Sequence, residues 1–246
     1  MATFSVILAA AGKSSRFKDP NYKKPFAQLK QKAIWLYSAE LFLKRNDVKQ
    51  VIIVISPEDK EDFVSRFGPN LAVMGIDIAM GGAERADSIQ NGLAKVDPSA
   101  DYVVIHDAAR PCIHADLVED VFQSAIKNGA AIPAIPVYST IKRSADGKFV
   151  DNTESRDHLY LAQTPQVFAR QLIVNLYANR GDSQPTDEAQ LAEEAGEQVA
   201  IVPGSPLNIK VTTKSDMRLA TACLGAMPTA KFDAPIHPFA DDNLWR

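Results

Sequence analysis

Two runs, Val51-Ile-Ile-Val-Ile55 and Tyr102-Val-Val-Ile-His106, are apolar almost from end to end. A strand with one wet face alternates polar and apolar residues; these do not, so both faces must be covered. Central parallel strands between helical layers meet that demand. Further strands are expected at Ser5–Ala9, Gln50–Ser56 (around the first run), Ile76–Met80, Ala130–Pro136 and Gln198–Val202. Amphipathic segments lie between and after them: Ile34–Lys44, Glu58–Phe67, Glu84–Val96, Asp116–Asn128, Gln171–Asn179 and Asp187–Glu194. In Asp116–Asn128, Leu117, Val121, Phe122, Ala125 and Ile126 fall on one helical stripe. Strands joined through helices imply right-handed crossovers and an α/β fold with a doubly wound, mostly parallel sheet. Ligands of such sheets bind at the carboxyl ends of the strands.

Val137 to Phe168 interrupts the alternation. It reads as two extended limbs around Asp146-Gly147, a strong hairpin signal. The expectation is a β-arm at about residues 138–166 that projects from the sheet and packs on another subunit, since a lone hairpin cannot bury itself. Residues 1–227 then form a single domain, arm included, and the proline-rich, polar stretch 228–246 is a tail.

The chain has 246 residues, 46% of them hydrophobic, and a formal net charge of −3. That balance suits a globular protein with a sizeable core and gives no basic face for nucleic acid. No apolar run is long enough to span a bilayer. The first strand follows Met1 at once, so no signal peptide is expected. Cys112 and Cys223 lack metal-ligand spacing and read as packed, reduced thiols, which points to the cytoplasm.

Four groups of residues carry chemistry. After the first strand, Ala9-Ala10-Ala11-Gly12 lets a ligand approach the backbone, and Lys13, Ser14, Ser15, Arg16 and Lys24 supply donors and cations. A nucleoside triphosphate needs that combination. The Walker A loop is excluded because Ile7 stands where its first glycine belongs, and the dinucleotide fingerprint because Ser14 and Phe17 replace its later glycines. A plain strand-to-helix turn is the alternative. Gly81-Gly82-Ala83-Glu84-Arg85-Ala86-Asp87-Ser88 can present backbone groups and a hydroxyl to a base edge, or be an ordinary glycine turn.

His106-Asp107-Ala108-Ala109-Arg110-Pro111 ends the most apolar strand. Asp107 there can hold a metal ion or substrate, and Arg110 can fork a phosphate. A salt bridge between the two is equally consistent with the spacing. His106 reads as packed rather than as a base. The fourth group is dispersed: Thr140, Lys142 and Arg143 on the first limb of the arm, Arg156 and Thr164-Pro165-Gln166 on the second, Thr186 as cap of the helix that begins Asp187-Glu188, and Lys210 in Asn208-Ile209-Lys210-Val211-Thr212.

As an ordered set these motifs resemble the 2-C-methyl-D-erythritol 4-phosphate cytidylyltransferases of the non-mevalonate isoprenoid pathway, from the first strand to about Leu224. The resemblance implies a Rossmann-like nucleotidyltransferase that moves CMP from CTP to a polyol phosphate with magnesium. It also implies a homodimer through interlocked β-arms. By motif, Ala10, Ala11, Gly12, Arg16, Lys24, Gly82, Ala83, Ser88 and Asp107 would bind CTP. Asp107, Ala108, Arg110, Thr140, Arg156, Thr164, Thr186 and Lys210 would serve the second substrate, with Arg16, Lys24 and Lys210 catalytic and Asp107 beside the metal. The chain departs from the pattern at Ala83, where an aspartate is common, at Ser139, where an acid is common, and at Lys24, which precedes its proline instead of following it. Ribitol 5-phosphate is the rival acceptor, and a non-catalytic nucleotide-binding protein the rival of another class.

Overall fold

A computed structural model of the protein describes residues 1–12 and 27–226. Arg16 and Lys24, with the rest of the cationic loop and the tail, lie outside the described residues.

The core is an eight-stranded sheet. At its centre β1 (Phe4–Ala9) runs parallel to both β4 (Val48–Ile55) and β6 (Tyr102–Asp107). On the far side of β4 lies β5 (Ile76–Met80), also parallel. Beyond β6 comes β11 (Gln166–Ala169), antiparallel to β6 and to β7 (Ala130–Pro136). The outer edge of β7 carries β12 (Ala200–Pro203) in parallel. Two short antiparallel pairs stand apart, β2 (Gln28–Leu29) with β3 (Lys32–Ala33) and β8 (Ile141–Arg143) with β9 (Asn152–Glu154).

Helices cover both faces. Val6 and Leu8 point into the layer built by α1 (Ile34–Leu43), α2 (Lys60–Met74) and α4 (Ala115–Asn128), where Trp35, Phe42, Phe63 and Phe122 are fully buried. Ile7, one residue out of phase, packs on the opposite layer of α3 (Arg85–Leu93), α5 (Arg170–Ala178) and α6 (Glu188–Glu194). Full burial of Val51–Ile55 and Val103–Ile105 is what their unbroken apolar character demanded. A smaller cluster joins Ile34, Cys112 and Val211 to Ala220 and Cys223 of α7 (Lys214–Ala226).

Three local features differ from expectation. The second helix does not stop at Phe67: it continues through Gly68-Pro69 to Met74, with Leu71 buried and Gly75 closing it in the left-handed conformation (φ 63°). Burial of Leu71 outweighs the hydrogen bond that Pro69 cannot donate. The second limb of the arm leaves the hairpin early. Tyr160–Ala162 (β10) already pairs with β7 in the main sheet, and β11 continues along the same edge. From Ala162 to Val167 this limb advances five residues while β7 moves only from Ala134 to Ala131, so two residues bulge around Thr164. Finally, α7 and β11 belong to no segment expected from periodicity.

Candidate active site

The parallel strands end nearly flush. Ala9 lies beside Val54 and Asp107, Ile55 beside Met80, and the next backbone bonds continue the ladder: Ala10 N–H to Val54 O (2.8 Å), Ala108 N–H to Ala9 O (3.1 Å) and Gly81 N–H to Ile55 O (2.7 Å). The chain order reverses between β1 and β6, which opens a crevice at their carboxyl ends. A cleft of about 720 Å³ occupies this place, bounded by Ala9–Gly12, Ser56–Glu58, Gly81–Arg85, Ser88, Asp107–Ala109 and Lys210. Residues expected to meet a nucleotide from three separate stretches thus line one cleft, together with Lys210 of the expected acceptor set.

The glycine loop is small because it must be. A Cβ on Gly81 would stand 2.5 Å from that of Ala11, and one on Gly82 2.4 Å from that of Asp87. Ser88 Oγ accepts from Gly82 N–H and donates to Glu84 O, both at 3.0 Å. Its hydroxyl hydrogen is therefore spent on shaping the loop, and toward a base it can act only as an acceptor. Ala83 is exposed and lines the cleft.

Asp107 sits on the floor, 7% exposed. Lys210 Nζ reaches its Oδ2 at 2.9 Å and Arg110 Nε at 3.3 Å. Burial alone would push this carboxyl up; the positive charges of Lys210, Arg110 and Arg85 override it and hold the group well below the usual carboxylate range. Asp107 is an anion throughout the physiological range. Arg110 turns its other end to Asn208 O (2.7 Å), and Val211 N–H donates to Ala109 O (2.8 Å), so two separate bonds fasten the Lys210 segment to the end of β6. The sequence allowed a salt bridge or a ligand site at Asp107 and Arg110; the structure has the salt bridge, at the floor of the cleft.

His106 lies behind them with no exposed surface. Its Nδ1 is 3.0 Å from Thr164 Oγ1, which accepts from Asp107 N–H, and its Nε2 is 3.2 Å from Ser38 Oγ. Burial lowers its pKa to about 4, and the nearby Asp107 charge only partly offsets that. A neutral imidazole accepts a hydrogen bond from the Thr164 hydroxyl at Nδ1 and donates one from Nε2 toward Ser38. It therefore orients the floor and is too far from solvent to act as a base.

Thr164 was expected on the arm. It is buried at the bulge beside β6, because Asn208 Nδ2 holds its carbonyl (2.9 Å) while its hydroxyl holds Asp107. Gln163, also buried, donates to Ser205 O (2.8 Å) and accepts from Ser205 N–H (3.2 Å). Gln166 accepts from the first two amides of α6, Glu188 N–H (3.0 Å) and Ala189 N–H (3.1 Å). Asp187, not Thr186, caps that helix: its Oδ1 accepts from Gln190 N–H at 2.9 Å. Gln190 folds back to Thr186 instead (2.8 Å to its N–H, 3.0 Å to its hydroxyl). Aspartate, charged and acceptor-only, is the stronger partner for the helix start.

Thr140 and Arg156 are exposed on the hairpin side and lie outside the cleft wall of the single chain; Arg156 bonds Tyr138 O. The pairing of the buried acid Glu188 with Arg85 escaped the sequence reading, which had each only as part of its local motif. The available signal was an acid at the position that shares the apolar stripe of Leu191 and Ala192. Among the described residues no group of three acidic, histidine or cysteine side chains converges, and no helix is long and apolar enough to cross a membrane.

Known proteins resemble this chain in sequence and in fold. A curated 2-C-methyl-D-erythritol 4-phosphate cytidylyltransferase of Rhodopirellula baltica is 37% identical over 91% of the chain and 95% of its own length. One of Clostridioides difficile is 35% identical over 90% and 93%. The crystal structure of 4-diphosphocytidyl-2C-methyl-D-erythritol synthase from Anaerococcus prevotii superposes with a TM-score of 0.74 at 28% identity, covering 91% of this chain and 99% of that one. A sequence model of one family matches residues 4–226, and on these grounds the chain belongs to the 2-C-methyl-D-erythritol 4-phosphate cytidylyltransferase family.

Proposed function

We propose that this protein transfers the cytidylyl group of CTP to the phosphate of 2-C-methyl-D-erythritol 4-phosphate and releases pyrophosphate, in isoprenoid precursor biosynthesis. The observation that carries the reading is the Lys210–Asp107 pair, set at 2.9 Å on the floor of a cleft whose other walls are the Ala9–Gly12 and Gly81–Ser88 loops. One cleft then offers a glycine cradle for a base, small residues for a triphosphate and a cation where two anionic reactants must meet.

In this mechanism a phosphate oxygen of the acceptor attacks the α-phosphorus in line. The new P–O bond forms as the bond to pyrophosphate breaks, and the leaving group departs with the electron pair. The nucleophile is already an anion, so the protein need supply neither a base nor a covalent intermediate. Its task is to offset repulsion and growing charge. Lys210 serves the transferring phosphate, and Arg16 and Lys24, which follow β1 in the sequence, complete the set. Gly82, Ala83 and Ser88 receive the cytosine, and Asp107 the ribose or metal side.

Asp107 would hold magnesium at the cleft floor, where the ion would supply positive charge against the phosphates; a single carboxylate with substrate oxygens is a usual Mg²⁺ donor set. The arm carries Thr140 and Arg156 outside the wall of their own chain, and Tyr138, Phe149 and Val150 expose 71%, 75% and 62% of their surface. We therefore place these two residues over a neighbour's cleft in a homodimer. The polar reactants and the free buried thiols Cys112 and Cys223 suit the reducing cytoplasm.

A pyrophosphate-release assay tests the reading with each nucleoside triphosphate and with methylerythritol and ribitol phosphates in parallel. Turnover confined to CTP and methylerythritol phosphate is expected. Preference for the ribitol ester reassigns the acceptor, and CTP binding without turnover makes the protein a nucleotide sensor.

A further inference from the structure

The Gly81–Ser88 loop is held from outside. Arg85 Nη1 and Nη2 meet Glu188 Oε1 and Oε2 at 2.7 and 2.9 Å, a fork-to-fork pair. Glu188 has no exposed surface, and Tyr177 donates its hydroxyl to Oε1 at 3.0 Å. A second tie comes from the same stretch of chain: Arg180 Nη2 reaches Asp87 Oδ1 at 2.8 Å and Gln90 Oε1 at 2.9 Å. Asp87 Oδ2 in turn accepts Glu84 N–H at 3.1 Å and closes the turn.

A carboxylate buried so completely is costly unless it is paired and hydrogen-bonded. The three bonds to Glu188 meet that cost, and its partner is a cleft-lining arginine in the middle of the glycine motif. Burial alone would lower the pKa of Arg85; Glu188 more than reverses that and keeps the guanidinium charged. The arginine is engaged on both terminal nitrogens, so its charge is committed to the protein rather than to phosphates. What the pair fixes is the position of the loop.

We propose that Glu188 is a positioning residue for nucleotide selection: from the start of α6 it grips Arg85 and holds the Gly81–Ser88 loop in the shape that accepts a cytosine. The same helix start is pinned by Gln166, two residues from Thr164, which bonds Asp107. Glu188 thus ties the base loop to the floor on which the acceptor phosphate receives the cytidylyl group. This rests on the proposed cytidylyl transfer, in which that loop reads the base.

Glu188→Gln keeps the shape and removes the charge. Calorimetric binding of CTP and UTP to the wild type and the variant reads the effect directly. CTP affinity should drop about tenfold and CTP-over-UTP preference should shrink several-fold. In turnover assays KM for CTP should rise by the same factor, with the acceptor KM within twofold. Arg85→Lys, which keeps the charge but loses the fork, should reproduce the nucleotide-selective loss if the first variant fails to fold. Unchanged CTP affinity and preference in a folded variant overturn the proposal, as does an equal rise in both KM values. A wild type that binds CTP but does not turn it over sinks the catalytic reading alone; one that binds no CTP sinks both.

Discussion

Acidification should loosen this fold through His106, by an amount that follows from its surroundings. The imidazole is wholly buried and its pKa falls from 6.5 to about 4. The unfolded chain therefore holds more protons than the native one between those values, and stability declines as pH drops from 6.5 to 4. At about 1.4 kcal/mol for each pH unit separating the two states, the loss is on the order of 3 kcal/mol. That is a large share of the roughly 5–15 kcal/mol of a typical domain. Asp107, whose carboxyl is held down in the fold, contributes in a separate window below its ordinary 3.8. His106→Gln separates the two. At pH 7.5 it should cost about 1–3 kcal/mol, because Thr164 and Ser38 lose well-placed partners. It also deletes the titrating group, so the gap between variant and wild type should close as pH approaches 4.5. Urea unfolding followed by circular dichroism from pH 7.5 to 4.5 measures both slopes. Parallel decline of the two proteins, or an imidazole NMR signal titrating near 6.5, would refute the argument.

Three further outcomes test the site. Lys210→Ala removes the cation 2.9 Å from Asp107 and should lower kcat by about 10²–10³, or ~3–4 kcal/mol, with the far-ultraviolet spectrum unchanged; near-normal turnover would remove Lys210 from the chemistry. Gly82→Ala pushes a methyl to 2.4 Å from Asp87 Cβ, so KM for CTP should rise about tenfold, and steady-state kinetics showing an unaltered KM would contradict the base-loop assignment. Arg156→Ala should raise KM for the polyol phosphate while leaving CTP affinity alone. Mixing it with Lys210→Ala should restore part of the lost activity if the arm serves a neighbour's cleft, and no restoration would argue that each chain works alone.

What the sequence made legible was periodic or punctuated. The unbroken apolar character of Val51–Ile55 placed it inside the sheet with both faces covered, and Gly81-Gly82 and Asp107 fell at strand ends, where the parallel topology gathers loops. The ribbon Gln166–Ala169 was hidden because its insertion between β6 and β7 is decided by long-range pairing rather than by local pattern. The helix over Lys60–Met74 ran past Gly68-Pro69 because burial of Leu71 is a tertiary effect. Thr164 looked like an arm residue for the same reason: only the two-residue bulge turns it to Asp107. The pairing of Arg85 with Glu188 joins positions 103 apart, a separation that no short motif spans.

The hairpin of β8 and β9 springs from β7 at Val137 and comes back into the sheet at Tyr160, so both its roots stand on the side of the sheet at which β6 also ends. Its returning root leads, within a few residues, to Thr164 and the backbone of Asp107. Whatever seats itself on that hairpin has a short mechanical lever to the reaction floor, and a chain whose hairpin is left unsupported should lose acceptor alignment before it loses its fold.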